Sequence, residues 1–254
     1  MPPLTVVIIA RDEVDRLPAA VGSVSFADEV LVLDSGSTDG TVAVARQLGA
    51  RVVQTDWPGH VAQKNRGLQQ ATHPWVLSID ADERVSPALA HAIQAALEAE
   101  PTVDGFEVAR RNHYLGQPLR AGGWYPDRRL RLVRRVAARW VGVDPHDRLE
   151  VQGSTARLAG DLDHHPYRNL GEHYATIDRY TRRFVQVTQA RARWWDIAVR
   201  PTWRFLRGYL LQAGFVDGRA GWRVACMGAR YTATKWYRLW SQQRDGSQRG
   251  RDGS

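Results

Sequence analysis

A single cysteine, Cys226, occurs among the 254 residues, so no intramolecular disulfide can form and a disulfide-stapled secreted scaffold is excluded. Lysine is nearly as scarce, with Lys64 and Lys235 standing against 33 arginines. No uncharged apolar run approaches the roughly 18 residues that a bilayer crossing needs. The first apolar stretch, Leu4 to Ala10, is shorter than the apolar region of a secretory leader together with its flanks and has no basic residue ahead of it. A cytoplasmic location is the expectation. The phosphate-loop spacing Gly-x-x-x-x-Gly-Lys-Ser/Thr is missing, as are the zinc spacings His-Glu-x-x-His and Cys-x-x-Cys.

What is present is a globular composition, 43% apolar and 24% charged, with an uneven distribution of charge. Residues 1–166 hold 18 basic and 21 acidic side chains, whereas residues 167–254 hold 17 basic and 6 acidic ones. The latter segment also carries six of the ten tryptophans: Trp194, Trp195, Trp203, Trp222, Trp236 and Trp240. The net charge of +8 therefore belongs to the C-terminal third, and a partner for it is to be sought there.

Along the first 100 residues, continuous apolar runs alternate with helical periodicity. Leu4–Ala10, Glu29–Leu33, Arg51–Gln54 and Trp75–Ile79 read as strands, with helices over 12–24, 41–48, 60–71 and 87–99. Repeated βα units predict an α/β fold with a mostly parallel, doubly wound sheet. Ligands of such sheets sit beyond the carboxyl ends of the strands. The polar residues of this chain collect there: Arg11, Asp12 and Glu13, then Asp34, then Asp80 and Asp82. Two further strands, Gly105–Arg110 and Leu130–Arg134, flank the loop Gly122-Gly-Trp-Tyr-Pro-Asp127, and helical periodicity resumes near residue 170. The polar, glycine-rich stretch 244–254 predicts a disordered tail.

Asp80-Ala-Asp82 follows a buried strand directly. Two carboxylates so placed suit a hard divalent cation, Mg²⁺ or Mn²⁺, held against a diphosphate. Asp34-Ser-Gly-Ser-Thr-Asp-Gly-Thr41 is a turn in which Asp39 or Thr38 caps the next helix. Asp34 stands at its strand end, where a carboxylate can bond a ribose or base. A third cation ligand from His146 or His164 is an open alternative to ordinary loop histidines.

Four segments in order, Ala10-Arg-Asp-Glu13, Val32-Leu-Asp-Ser-Gly-Ser-Thr-Asp-Gly-Thr41, Gln63-Lys-Asn-Arg-Gly67 and Ser78-Ile-Asp-Ala-Asp-Glu83, make residues 4–150 resemble the family 2 glycosyltransferases of the GT-A fold. Gly123-Trp-Tyr-Pro-Asp127, Arg131-Leu-Val-Arg-Arg135 and Phe215-Val-Asp-Gly218 bring the chain nearest to the bacterial lipopolysaccharide core-type enzymes. The first motif usually reads Asn-Glu in the family and is Asp12-Glu13 here. The resemblance implies a GT-A catalytic domain over 1–166, with a nucleotide-sugar half about 1–100 and an acceptor half about 101–166. It implies that Ala10, Arg11, Glu13, Asp34, Lys64, Asp80 and Ala81 bind the nucleotide sugar, a UDP-linked one such as UDP-glucose. Asp82, aided by Asp80, would hold the divalent cation. The anomeric centre would be inverted in one displacement, with Asp147 as the general base and Asp127 as the second candidate. Trp124, Tyr125, Asp127 and Arg131 would lie on the acceptor side.

Residues 167–243 interleave arginine with Trp, Tyr, Phe and Leu, as suits a helical extension at a bilayer interface. The expected partners are a nucleotide-diphosphate sugar, a lipid-linked saccharide acceptor and the cytoplasmic face of the inner membrane. No nucleic-acid partner is expected. Transfer to polyprenyl phosphate and a non-catalytic, nucleotide-binding membrane adaptor remain as alternatives.

Overall fold

The computed structural model describes residues 2–143 and 146–252, with side chains described as far as residue 245. Two positions of the Val143–Asp147 motif, 144 and 145, lie outside the described residues, as do 1, 253 and 254. In chain order the elements are β1 (Leu4–Ala10), α1 (Leu17–Gly22), β2 (Glu29–Asp34), α2 (Thr41–Gln47), β3 (Arg51–Gln54), α3 (His60–Gln70), β4 (Trp75–Asp80), β5 (Glu83–Val85) and α4 (Pro87–Glu98). These are followed by β6 (Gly105–Tyr114), β7 (Gln117–Pro118), β8 (Asp127–Arg134), β9 (Ala138–Val143), β10 (His146–Val151) and β11 (Thr155–His164). The chain ends with α5 (Leu170–Val187), α6 (Asp196–Leu206) and α7 (Gly218–Asp252).

Two compact units result. The first holds residues 1–111 and 126–164, the second residues 112–125 and 165–254. The loop excursion 112–125, read from sequence as part of the catalytic domain, thus clusters with the C-terminal helices. Its apolar side chains explain this, because Tyr114, Leu119 and Trp124 pack with Ala220 and Val224 of α7.

In the first unit the strands run in the order β3-β2-β1-β4-β8-β6-β11-β5, while β7 pairs with the last residues of β6 within the second unit. The parallel part is confined to β1–β4, while β8 joins β4 antiparallel and β6 joins β8 antiparallel. Strand β1 shows why this half was legible. Leu4, Val6 and Ile8 face a core shared with α1 and α4, whereas Val7 faces a second core with Leu68 of α3 and Trp140 of β9. A strand buried on both faces must be apolar throughout. Helix α3 lies so close to β1 that a Cβ on Gly67 would stand 2.5 Å from Val7 Cγ1. Pairing of β8 with β6 matches Leu132 to Phe106 and Leu130 to Glu107, so Arg131 is the extra residue of a bulge. Bulges of this kind re-aim a side chain next to a site.

In the second unit α5 is followed by α6, and α6 is joined to α7 by a π-helical turn at Arg207–Leu211 and a 3₁₀ turn at Gly214–Asp217. Asp217 accepts hydrogen bonds from the backbone amides of Arg120 (2.9 Å) and Ala121 (3.0 Å). Gly221 has no room for a side chain, since a Cβ there would meet the Gly214 carbonyl at 1.8 Å. The Phe215-Val-Asp-Gly218 motif therefore anchors the excursion loop. Helix α7 continues to Asp252, through much of the stretch whose composition predicts disorder.

Candidate active site

The loops at the carboxyl ends of β1 and β2 are tied together by short polar side chains. Asp34 ends β2 fully buried, and its carboxylate accepts from the amides of Gly36 and Ser37 (both 3.1 Å) and from the Ser37 hydroxyl. Asp34 is thus committed to shaping its own turn. Ala10 is buried at the end of β1, and its carbonyl accepts from the Ser35 amide at 3.0 Å. Asp12 adopts a left-handed conformation (φ 54°), which Asp and Asn tolerate better than most residues. Its carboxylate accepts from the Thr38 amide (2.8 Å) and hydroxyl (3.2 Å). These contacts ask only for an acceptor, which an aspartate supplies as well as the family's asparagine. Asp39, and not Thr38, serves the start of α2 by accepting from the Thr41 amide at 2.9 Å. The hydroxyl of Thr41 then accepts from the Glu13 amide at 2.8 Å. Arg11 is exposed, 3.9 Å from Asp12.

Helix α3 delivers the next group. Gln63 is buried and donates to the hydroxyls of Ser35 (3.0 Å) and Thr55 (2.7 Å). Asn65 exchanges two 2.9 Å hydrogen bonds with the backbone of Trp140, which fixes β9 against the helix. Between them Lys64 is held 4.4 Å from the centre of the Trp140 ring. Its ammonium lies 3.1 Å from Asp80 Oδ1 and 2.9 Å from Asp147 Oδ2, so one cation joins two carboxylates that stand 67 residues apart in the chain.

Asp80 ends β4. Burial acts to raise its pKa, but the charges of Lys64 and then Arg131 hold the carboxyl well below the usual range. Arg131, aimed by the bulge, is buried 2.6 Å from Glu83 and 3.6 Å from Asp80 Oδ2. Burial opposes its charge too, yet Glu83, Asp80 and Asp147 raise its pKa further. Expected on the acceptor side, Arg131 is found bracing the Asp80–Glu83 turn. Glu83, to which no role had been given, is fully buried and accepts from the Asp80 amide at 2.9 Å. Its place directly after Asp82 was the available signal. Ala81 is buried in the core. Asp82 is partly buried, and the register His164↔Glu83 between β11 and β5 sets His164 Nε2 3.4 Å from Asp82 Oδ2.

These residues suit a divalent cation. Asp82 and His164 offer adjacent O and N donors, and the buried Oδ1 of Asp80 is engaged only by the Lys64 ammonium, as an ion pair at 3.1 Å. Among the described residues no group of three His, Cys, Asp or Glu is clustered to hold a metal alone. Mg²⁺-type ions are often held by one or two carboxylates together with substrate phosphates.

A cleft of about 370 Å³ opens beside these groups, lined among others by Lys64, Asp80, Arg131, Trp140 and Asp147. Asp127 is not among the residues lining the cleft, and both its oxygens are engaged, by Arg110 (2.6 and 3.0 Å) and by Arg129 (2.9 Å). Trp124 and Tyr125 belong to the second unit, where Trp124 packs with Tyr114 and Leu119.

Residues 5–142 match the family described as Glycosyl transferase family 2. Over 248 residues, 92% of each chain, the protein is 30% identical to the lipopolysaccharide core biosynthesis glycosyltransferase LpsC of Rhizobium meliloti (strain 1021). A glycosyltransferase of Rickettsia felis is 43% identical over 95 residues, which is 37% of this chain and 34% of that relative. Among solved structures, glucosyl-3-phosphoglycerate synthase from Mycobacterium tuberculosis, in complex with Mn²⁺, UDP and glucosyl-3-phosphoglycerate, is 27% identical over 44% of each chain, with a TM-score of 0.37. The strand-end motifs, the sheet that carries them and the full-length likeness to LpsC agree: this chain belongs to the family 2 glycosyltransferases and has their GT-A type of fold.

Proposed function

We propose that the protein is an inverting, metal-dependent glycosyltransferase that moves a sugar from a UDP-linked donor to a lipid-linked saccharide of the lipopolysaccharide inner-core type. The observation that carries this reading is the Lys64 ammonium bound to both Asp80 and Asp147 in one cleft. It brings the donor-side carboxylate and the candidate base within reach of one sugar. Asp147 Oδ2 is engaged by Lys64, and Oδ1 has no hydrogen-bond partner among the described residues. Oδ1 would take the proton of the acceptor hydroxyl as the oxygen attacks the anomeric carbon and the bond to the diphosphate breaks. Asp80, pinned as an anion by Lys64 and Arg131, would accept hydrogen bonds from ribose or sugar hydroxyls. The Trp140 ring forms an apolar wall of the same cleft. Asp82, with Asp80 and His164 beside it, would hold a divalent cation, which when bound stabilises the charge of the leaving diphosphate.

The lipid-linked acceptor and a peripheral place on the cytoplasmic face of the inner membrane rest on the second unit. No described helix is long and apolar enough to cross a membrane. Trp194 (68% exposed), Trp203 (56%), Leu210 (52%) and Leu211 (69%) nevertheless face solvent in a segment rich in arginine. Rings and aliphatic side chains at headgroup depth, with guanidinium groups on lipid phosphates, suit such a place.

Thermal stabilisation by UDP, GDP, CDP and dTDP, with and without Mn²⁺ or Mg²⁺, tests the donor site, because a ligand selective for the native state raises its stability. The expected result is stabilisation by UDP only with metal, and loss of the metal dependence in Asp82→Ala. Absence of any nucleotide effect on a folded sample would favour a non-catalytic adaptor.

A further inference from the structure

The cleft is lined by six cations, Lys64, Arg110, Arg128, Arg129, Arg131 and Arg148, and by three carboxylates, Asp80, Glu107 and Asp147. Five of the six cations are neutralised within the chain. Lys64 is bound by Asp80 and Asp147, Arg131 by Glu83, Arg110 and Arg129 by Asp127, and Arg148 by Glu150. Arg128 differs. It is exposed at the second position of β8 and has no carboxylate partner among the described residues. The acids nearest to it in the sheet are already committed, Asp127 to two arginines and Glu107 to Arg157 at 3.3 Å.

The sheet order fixes which half of the reaction this surplus charge serves. Three strand steps separate β2, which ends at Asp34, from β8, a distance of about 14 Å at the usual strand spacing. β8 is antiparallel to β4, so its first residues lie at the same end of the sheet as Asp80. Arg128 therefore stands past Asp80 when viewed from Asp34, on the side that the donor-site reading leaves to the acceptor. A guanidinium fork matches the oxygens of a carboxylate or a phosphate.

We propose that the acceptor carries an oxyanion, a carboxylate or a phosphate, close to the hydroxyl that is glycosylated, and that Arg128 is the specificity-determining residue that receives it. This rests on the donor-site reading above. The test is calorimetric titration of the full chain, saturated with UDP and Mn²⁺, with glucose, glucuronate and glucose 6-phosphate. At least one anionic sugar is expected to bind about tenfold more tightly than glucose, as charge-assisted pairing allows. Its identity tells carboxylate from phosphate. Arg128→Ala should erase the preference, as should raising the salt to about 0.5 M, and UDP binding by the variant checks that it is folded. A wild-type chain that takes neither anionic sugar better than glucose, binding none of them included, overturns the proposal. So does a preference that survives Arg128→Ala. If UDP itself does not bind, the donor-site reading is at fault, and the same titrations on the unliganded chain still decide the role of Arg128.

Discussion

The two units use arginine in opposite ways. In the first, the guanidinium of Arg131 is buried between Glu83 and Asp80, and nearly every charge of the cleft is matched by another. In the second, Arg230 and Arg193 lie over rings instead, 4.7 Å from the centre of Tyr174 and 5.1 Å from that of Trp195. Matched charge at fixed distances is how a low-dielectric site keeps its dipoles oriented before a reaction begins. Cation–ring contacts leave the charge available to an outside partner while the apolar body packs. Composition alone, rich in arginine in both units, does not tell these uses apart; the supply of acidic residues does.

The largest effect that would sharpen the contrast is expected at Asp147. Asp147→Asn should lower kcat about 10²–10⁴-fold, the usual contribution of a positioned general base. UDP affinity should change little, because Lys64 keeps Asp80 as a partner. Asp127→Asn should cost far less, since that carboxylate is already spent on Arg110 and Arg129. Measuring acceptor-dependent UDP release for both variants decides between the two residues; a larger loss in Asp127→Asn would reverse the assignment.

The pattern of what could be read from sequence follows the same division. Of the four parallel strands β1, β2 and β4 announced themselves because burial on both faces leaves little room for polar residues, and Asp80 and Asp82 were placed by the strand before them. The acceptor half could not be read this way. Lys64 meets Asp147 across 83 residues, and His164 reaches Asp82 only through the β5–β11 register. Strand β5 is three residues long and offers no periodicity to detect. Asn65 and Gly67 were visible as a motif, but their purposes, holding Trp140 and letting α3 approach β1, appear only once the elements are packed. Trp124 was assigned to the acceptor side through the family resemblance, and its packing in the second unit depends on a helix a hundred residues later.

A smaller effect separates the units by pH. His173 in the second unit is buried, stacked 3.9 Å from the Tyr167 ring, with the Tyr114 hydroxyl 3.2 Å from Nδ1. Burial pushes its pKa down to about 4 from an ordinary 6.5. Between these values the unfolded chain binds a proton that the folded one does not, so stability is complete above about pH 6.5 and falls as the pH drops toward 4. The loss should be about 1–3 kcal/mol. His173→Phe should flatten this slope in thermal unfolding followed by tryptophan fluorescence. An unchanged slope would mean that another group titrates.

The smallest effect on folding, and the clearest on partner choice, is expected at the exposed tryptophans. Trp194 and Trp203 are more than half exposed, so replacing both with serine should shift stability by only about 0.5 kcal/mol, as surface changes usually do. Phe205, Tyr209 and Trp222 differ, because their rings pack edge-on or stacked with centroids 5.1–5.3 Å apart and their removal should destabilise the unit. If the outward rings serve a bilayer, the double variant should lose sedimentation with vesicles containing anionic lipid while keeping UDP binding. Vesicles of neutral lipid should hold even the wild-type chain weakly, because the excess of 17 basic over 6 acidic residues in 167–254 would find no counter-charge. Equal binding of both proteins to anionic vesicles would assign the attraction to arginine alone and leave the rings without a role at the surface.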